Sequence, residues 1–100
     1  MTGVRFITVT ELSVHATTMV SDAEIRGNQI VVTKKGKPVA LLVKFAKGRK
    51  GKFETVTKLK NNAIAIIEEV EAGKSFIITR NDEPVTSLSK IEDSAFRIKK

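Results

Sequence analysis

The sequence has no cysteine, which excludes a disulfide framework and thiol chemistry and fits a reducing compartment. It also lacks any long apolar run. The longest, Val39–Val43 and Ala63–Ile67, fall far short of the roughly 20 residues that a membrane-spanning helix needs. No apolar stretch follows Met1, so no signal peptide is expected and the chain reads as cytoplasmic, with no membrane partner. The single histidine, His15, has no cysteine and no carboxylate cluster near it in sequence, so it is not a metal site. There is no nucleophile–base pair and no phosphate-binding glycine loop. The only cluster of acids at helical spacing is Glu68, Glu69 and Glu71, which reads as a solvated helix rim. The sequence therefore predicts neither an enzyme nor a cofactor.

Acidic residues are scarce in one part of the chain. Residues 1–47 hold 7 basic and 3 acidic side chains, residues 48–52 hold 3 basic and no acidic ones, and residues 53–100 hold 8 of each. The net charge of +7 thus sits in the first half and the junction. Such an excess favours a polyanionic partner, because Lys and Arg at phosphates release condensed counterions. A basic surface that merely keeps the chain soluble explains the same excess. With 41% hydrophobic and 29% charged residues, the rest of the composition is that of an ordinary globular protein of about one domain.

What the chain does have is a repeat. Phe6–Leu12 aligned with Phe53–Leu59, 47 positions on, shares Phe, Thr, Val, Thr and Leu. From Gly27 and Gly73 onward the offset is 46, and Thr33, Pro38, Val39 and Leu42 recur as Thr79, Pro84, Val85 and Leu88. One residue has been gained or lost between these anchors, near Ile25–Arg26, where a helix end tolerates it. The chain is read as a duplication.

Each copy follows one grammar. A β-branched run, Phe6–Val9 or Phe53–Val56, suits a strand. Thr10 or Thr57 is the expected helix N-cap. Leu12, Ala16, Met19, Val20 and Ala23 then recur as Leu59, Ala63, Ile66, Ile67 and Val70, the spacing of one helix face. Gly27 and Gly73 end these helices. Two strands with a tight polar turn follow: Gln29–Thr33 with Pro38–Val43, and Ser75–Thr79 with Pro84–Ser89. The predicted fold class is α+β, with two β-α-β-β repeats at residues 1–47 and 53–100 and a basic linker at 48–52. The short tail, Lys90–Lys100, forms a short helix from Ile91 or frays. A unit of about 45 residues is too small to bury its own apolar face. Two copies in one chain bury those faces against each other, as a single-chain pseudo-dimer.

The run T-V-T-E-L at Thr8–Leu12, the helix end E-E-V-E-A-G at Glu68–Gly73, and I-I-T-R-x-x-x-P-V at Ile77–Val85 resemble the prevent-host-death (Phd/YefM) antitoxin family. The likeness covers nearly the whole chain, once per copy. It implies a bacterial or phage antitoxin whose β-α-β-β module pairs with a second module and binds operator DNA as a transcriptional repressor. In that family a C-terminal extension wraps and inhibits a toxin. Here the module is doubled and only Lys90–Lys100 follow the second copy, so toxin neutralisation is not implied as DNA binding is. The alternative is a protein-binding module that grips a toxin or another partner without specific DNA binding. Further homodimerisation stays open.

The family's DNA contacts resemble two local sites, a basic residue in the first helical turn and the Arg of I-T-R. They fall on Lys60 and Arg80 in copy two, and on Ser13 and Lys34 in copy one. Lys58 joins them, since a lysine in a first helical turn opposes the helix dipole and invites a phosphate. Asn61 and Asn62 carry amides able to read adenine edges, and are equally ordinary on a solvated helix face. Lys34, Lys35 and Lys37 form a basic hairpin tip for phosphate contact. Arg49, Lys50 and Lys52 in the linker either follow the backbone or are simply solvated.

Overall fold

Val, Phe, Ile and Thr dominate Val4–Thr8, and this stretch forms the first strand, β1. Thr8 ends it with extended backbone angles, and its side-chain oxygen accepts a hydrogen bond from the Glu11 N–H at 3.0 Å. The Glu11 carboxylate returns the favour to the Thr8 N–H at 2.9 Å, a reciprocal capping box. The helix α1 therefore starts at once, over Val9–Val14, and the cap is Thr8 instead of the expected Thr10. The same displacement recurs in the second half: Thr55, not Thr57, caps α3. In each case the second of two alternate threonines was the expected cap, and the first one performs it.

The computed structural model describes residues 3–91. In order these are β1, α1, α2 (Ala16–Arg26), β2 (Gln29–Lys34), β3 (Lys37–Lys44), β4 (Lys52–Thr55), α3 (Val56–Asn61), α4 (Ala63–Glu71), β5 (Phe76–Arg80) and β6 (Glu83–Lys90). The element order β-α-α-β-β thus occurs twice. The helix tail expected after Ile91 lies outside the described residues.

The single helix expected in each half is divided at His15 and Asn62, whose φ angles of −117° and −129° leave the helical region. No proline or glycine stands there. The i→i−4 bonds nevertheless continue through the break, from His15 N–H to Glu11 O and from Met19 N–H to His15 O. Asn62 and Ile66 repeat the pattern. The apolar register therefore survives the kink, and all ten positions expected on the helix face are buried. On either side of the bend the neighbours differ: α1 lies against α3 and α4 of the other half, whereas α2 also reaches β3 and β6.

Gly27, at φ 74°, closes α2 in the left-handed conformation that glycine adopts without strain. The helix α2 extends to Arg26, but α4 stops at Glu71, so the extra residue of the first half lengthens a helix end. Each hairpin closes on two residues with positive φ, Lys35-Gly36 and Asn81-Asp82, as in a type I′ turn. Pro38 pairs with Thr33 and Pro84 with Thr79, each beside a bulge. A proline that cannot donate to the ladder is tolerated there. Gly51 admits the chain into β4, since a Cβ there would stand 2.8 Å from the Ser75 carbonyl oxygen.

The six strands form one sheet in the order β1-β2-β3-β6-β5-β4. β1–β2 and β4–β5 are parallel, and the other neighbours are antiparallel. At the middle, β3 and β6 pair with Leu42 opposite Leu88, residues in equivalent places of the two halves. Ile7, Ile30, Val32, Ala40, Leu42, Phe76, Ile78 and Leu88 join the buried helix residues in one apolar cluster. The architecture is a mixed α+β fold with all four helices packed on one sheet face. Among the described residues no helix is long and apolar enough to cross a membrane.

Candidate nucleic-acid interface

Because α1 and α3 are only six residues long, their last turns meet over the middle of the sheet. The Ser13 hydroxyl donates to the Lys60 backbone carbonyl at 3.2 Å. These two equivalent residues, one from each copy, stand side by side at one central place. Lys58, Lys60 and Asn61 are exposed, and neither lysine has an ion pair among the described residues. Asn61 and Asn62 line a shallow groove with Ser13, Ile64 and Glu68. The kink changes the electrostatic reading of Lys60. It occupies the last turn of α3, where the helix dipole favours a cation, so the penalty expected for it does not arise. Lys58 is different. It takes the place that Glu11 has in α1, and its backbone N–H donates to Thr55 at 3.0 Å with no carboxylate to complete the box.

The other two expected contacts are already engaged. Lys34 Nζ lies 3.2 Å from Glu71 Oε1, and the Arg80 guanidinium pairs with Glu24 while donating to Ser21 Oγ at 3.4 Å. Lys34 belongs to the first half and Glu71 to the second, whereas Arg80 and Glu24 reverse the arrangement. Each hairpin base therefore reaches an acid at the end of the other half's longer helix. All four side chains are between about a quarter and two-fifths exposed, so each pair adds no more than about 1 kcal/mol to stability. Their effect on charge is larger, since two of the three cations among the four expected positions are locally neutralised. Sequence reasoning missed Glu24 and Glu71, which recur at an offset of 47 while their partners recur at 46.

Lys35 and Lys37 are exposed beside Gly36 and have no ion pair among the described residues. They stand at the same end of the strands as the start of α1, because β1 and β2 run parallel and Thr8 pairs with Thr33. In the second half Thr55 pairs with Thr79, which puts Asp82 and Glu83 at the strand end where α3 starts. The two corners lie diagonally across the sheet, since β2 and β5 run in opposite directions. Of the linker bases, Arg49 and Lys50 are exposed, and Lys52 lies in β4 with its Nζ 3.7 Å from Glu54.

A second polar site was not foreseen. Asp22 of α2 is 8% exposed and accepts from Asn28 Nδ2 at 3.1 Å and from Arg5 at 3.2 Å, with Arg26 Nε 3.8 Å away. The Asn28 hydrogen bond, then Arg5 and Arg26, hold its carboxyl below the ordinary 3.8 against the opposing effect of burial. This network lines a groove of about 530 Å³, together with Thr17, Thr18 and Ser21. It ties the edge strand β1 to α2.

Compared with known protein families, characterised proteins and solved structures, the chain matches none of them.

Proposed function

We propose that the chain is a DNA-binding repressor of antitoxin type, whose two halves act as a covalently joined pair on operator DNA. The observation that carries this reading is the pair of exposed lysines Lys58 and Lys60, without an ion pair among the described residues, beside the Asn61 amide, with Lys60 meeting Ser13 of the other half. Cations free of carboxylate partners are the side chains that phosphates recruit, and an adjacent amide is suited to a base edge. The equivalence of the halves supports the paired arrangement: Leu42 faces Leu88, Ser13 meets Lys60, and the two cross-half ion pairs mirror each other. The sequence motifs shared with the Phd/YefM family add the repressor role. The long axis of 41 Å matches about 12 base pairs of B-DNA at 3.4 Å per step. No catalytic step is assigned.

The test is salt-dependent binding to the DNA just upstream of the chain's own gene. Lys60→Ala should weaken binding and lower the salt slope by about one unit, the loss of one phosphate contact. Arg80→Ala should lower it by less, because Glu24 already compensates the guanidinium. Unchanged affinity and slope in Lys60→Ala would sink the assignment.

The second reading, a protein-binding module, is favoured by one feature. Ile64 is 64% exposed and borders both the Asn62–Glu68 groove and an apolar hollow against Val9 and Ile67. Copurification of a second small protein, lost in Ile64→Asp but not in Lys60→Ala, would favour that reading.

A further inference from the structure

We infer that the chain lies on DNA in one fixed direction, its Lys35–Lys37 tip reaching the backbone on one side and its Asp82–Glu83 tip standing clear on the other. This rests on the DNA reading above.

The two hairpins are the same backbone object. Each closes on a two-residue turn with both φ angles positive, 54° and 79° at Lys35-Gly36, 54° and 66° at Asn81-Asp82. Each has the same bulge before it and the same proline after it. Each places one base, Lys34 or Arg80, against an acid of the opposite half. With those bases neutralised, what remains at the tips is opposite in sign. Lys35 and Lys37 are exposed cations, and Asp82 and Glu83 are exposed anions, with no ion pair to either set among the described residues.

DNA carries phosphate along its whole length, so a doubly basic tip gains counterion release wherever it touches the backbone. A doubly acidic tip of the same shape gains nothing there and is repelled. The corners lie at opposite ends of the strands, so only one flank of the bound duplex receives a hairpin. The central contacts are also one-sided. Lys58 and Lys60 come from α3, whereas their counterparts in α1 are Glu11, committed to the capping box, and the uncharged Ser13. Symmetry of backbone with asymmetry of charge removes the reason for a palindromic site, since half-site symmetry follows the symmetry of the contacts.

The experiment is selection of binding sites from a random 40-base-pair pool, followed by hydroxyl-radical footprinting of the winning duplex. The expected site is not an inverted repeat, and protection extends further on one flank than on the other. Lys35→Ala with Lys37→Ala should remove that extension and lower the salt slope by up to about two units. A chain carrying Lys35→Asp, Lys37→Glu, Asp82→Lys and Glu83→Lys should move the extension to the opposite flank. An inverted-repeat site with equal protection on both flanks overturns the inference and leaves the DNA reading intact. Failure to enrich any sequence overturns the DNA reading and this inference together.

Discussion

At the start of α1, Glu11 completes a reciprocal cap on Thr8; at the start of α3, Lys58 occupies the same place and leaves Thr55 with half of one. The contrast extends along both halves. Inside, Leu12, Ala16, Met19, Val20 and Ala23 face the same sheet as Leu59, Ala63, Ile66, Ile67 and Val70, and all are buried. Outside, Val14 stands where the other half has Asn61, Thr17 where it has Ile64, and Ser21 where it has Glu68. The difference teaches which positions are held by packing. An interior shared by two halves penalises any change of volume in either, whereas an exposed position costs little to alter and is free to specialise.

The strongest way to break the comparison is at the seam. Leu42 and Leu88 face each other and are fully buried, so Leu42→Ala and Leu88→Ala should each cost about 2–5 kcal/mol, with the two values similar. Urea unfolding followed by fluorescence-independent circular dichroism should show one transition in both variants. Two separate transitions, or a cost confined to one variant, would mean that the halves fold as independent units.

Asp22 sharpens the comparison from the other side, because the second half has Glu69 in its place, 44% exposed and paired with Lys74. Asp22→Ala should cost about 1.5–3 kcal/mol, the range for hydrogen bonds to a charged group, and Glu69→Ala less than about 0.5 kcal/mol. The folded state holds the Asp22 carboxyl below its ordinary value of 3.8. Its stabilisation is therefore complete above that unfolded value and fades as pH falls through the lower folded one. Wild type should lose stability across this acid window, and the gap to Asp22→Asn should narrow. A gap that stays constant down to pH 2 would contradict the assignment.

A smaller effect is expected at Thr86, fully buried with its hydroxyl unpartnered among the described residues, where the first half has Ala40. Thr86→Val removes a desolvated hydroxyl at constant shape and should raise stability by about 1 kcal/mol. The smallest stability change comes from Lys58→Glu, which lets the second half form the box that the first half has. It should gain about 0.5 kcal/mol in thermal unfolding and at the same time weaken DNA binding. A gain in both properties would separate Lys58 from the interface.

Much of this arrangement was legible in the sequence. The offset between Phe6 and Phe53 pointed to an element order that occurs twice, and the Leu12 and Leu59 series marked the buried helix faces. The strand pairs around Lys35-Gly36 and Asn81-Asp82 followed from turn chemistry. Caps were misplaced by two residues because Thr8 and Thr10 are chemically equivalent, although the Glu three residues after Thr8 distinguishes them. The kinks at His15 and Asn62 have no proline or glycine to announce them in the sequence. The pairs Arg80–Glu24 and Lys34–Glu71 required knowing that each hairpin meets the other half's helix. Residues far apart in sequence carry no local signal of such a meeting, so two of the expected cations proved to be neutralised on folding.

The most direct test of the account is binding of the purified chain to the DNA upstream of its own gene, against a scrambled duplex of equal length, at low and at physiological salt. The account predicts a preference for the cognate fragment that persists at the higher salt. Equal binding to both duplexes that disappears together at the higher salt would contradict it, leaving the basic charge as a generic property of the surface.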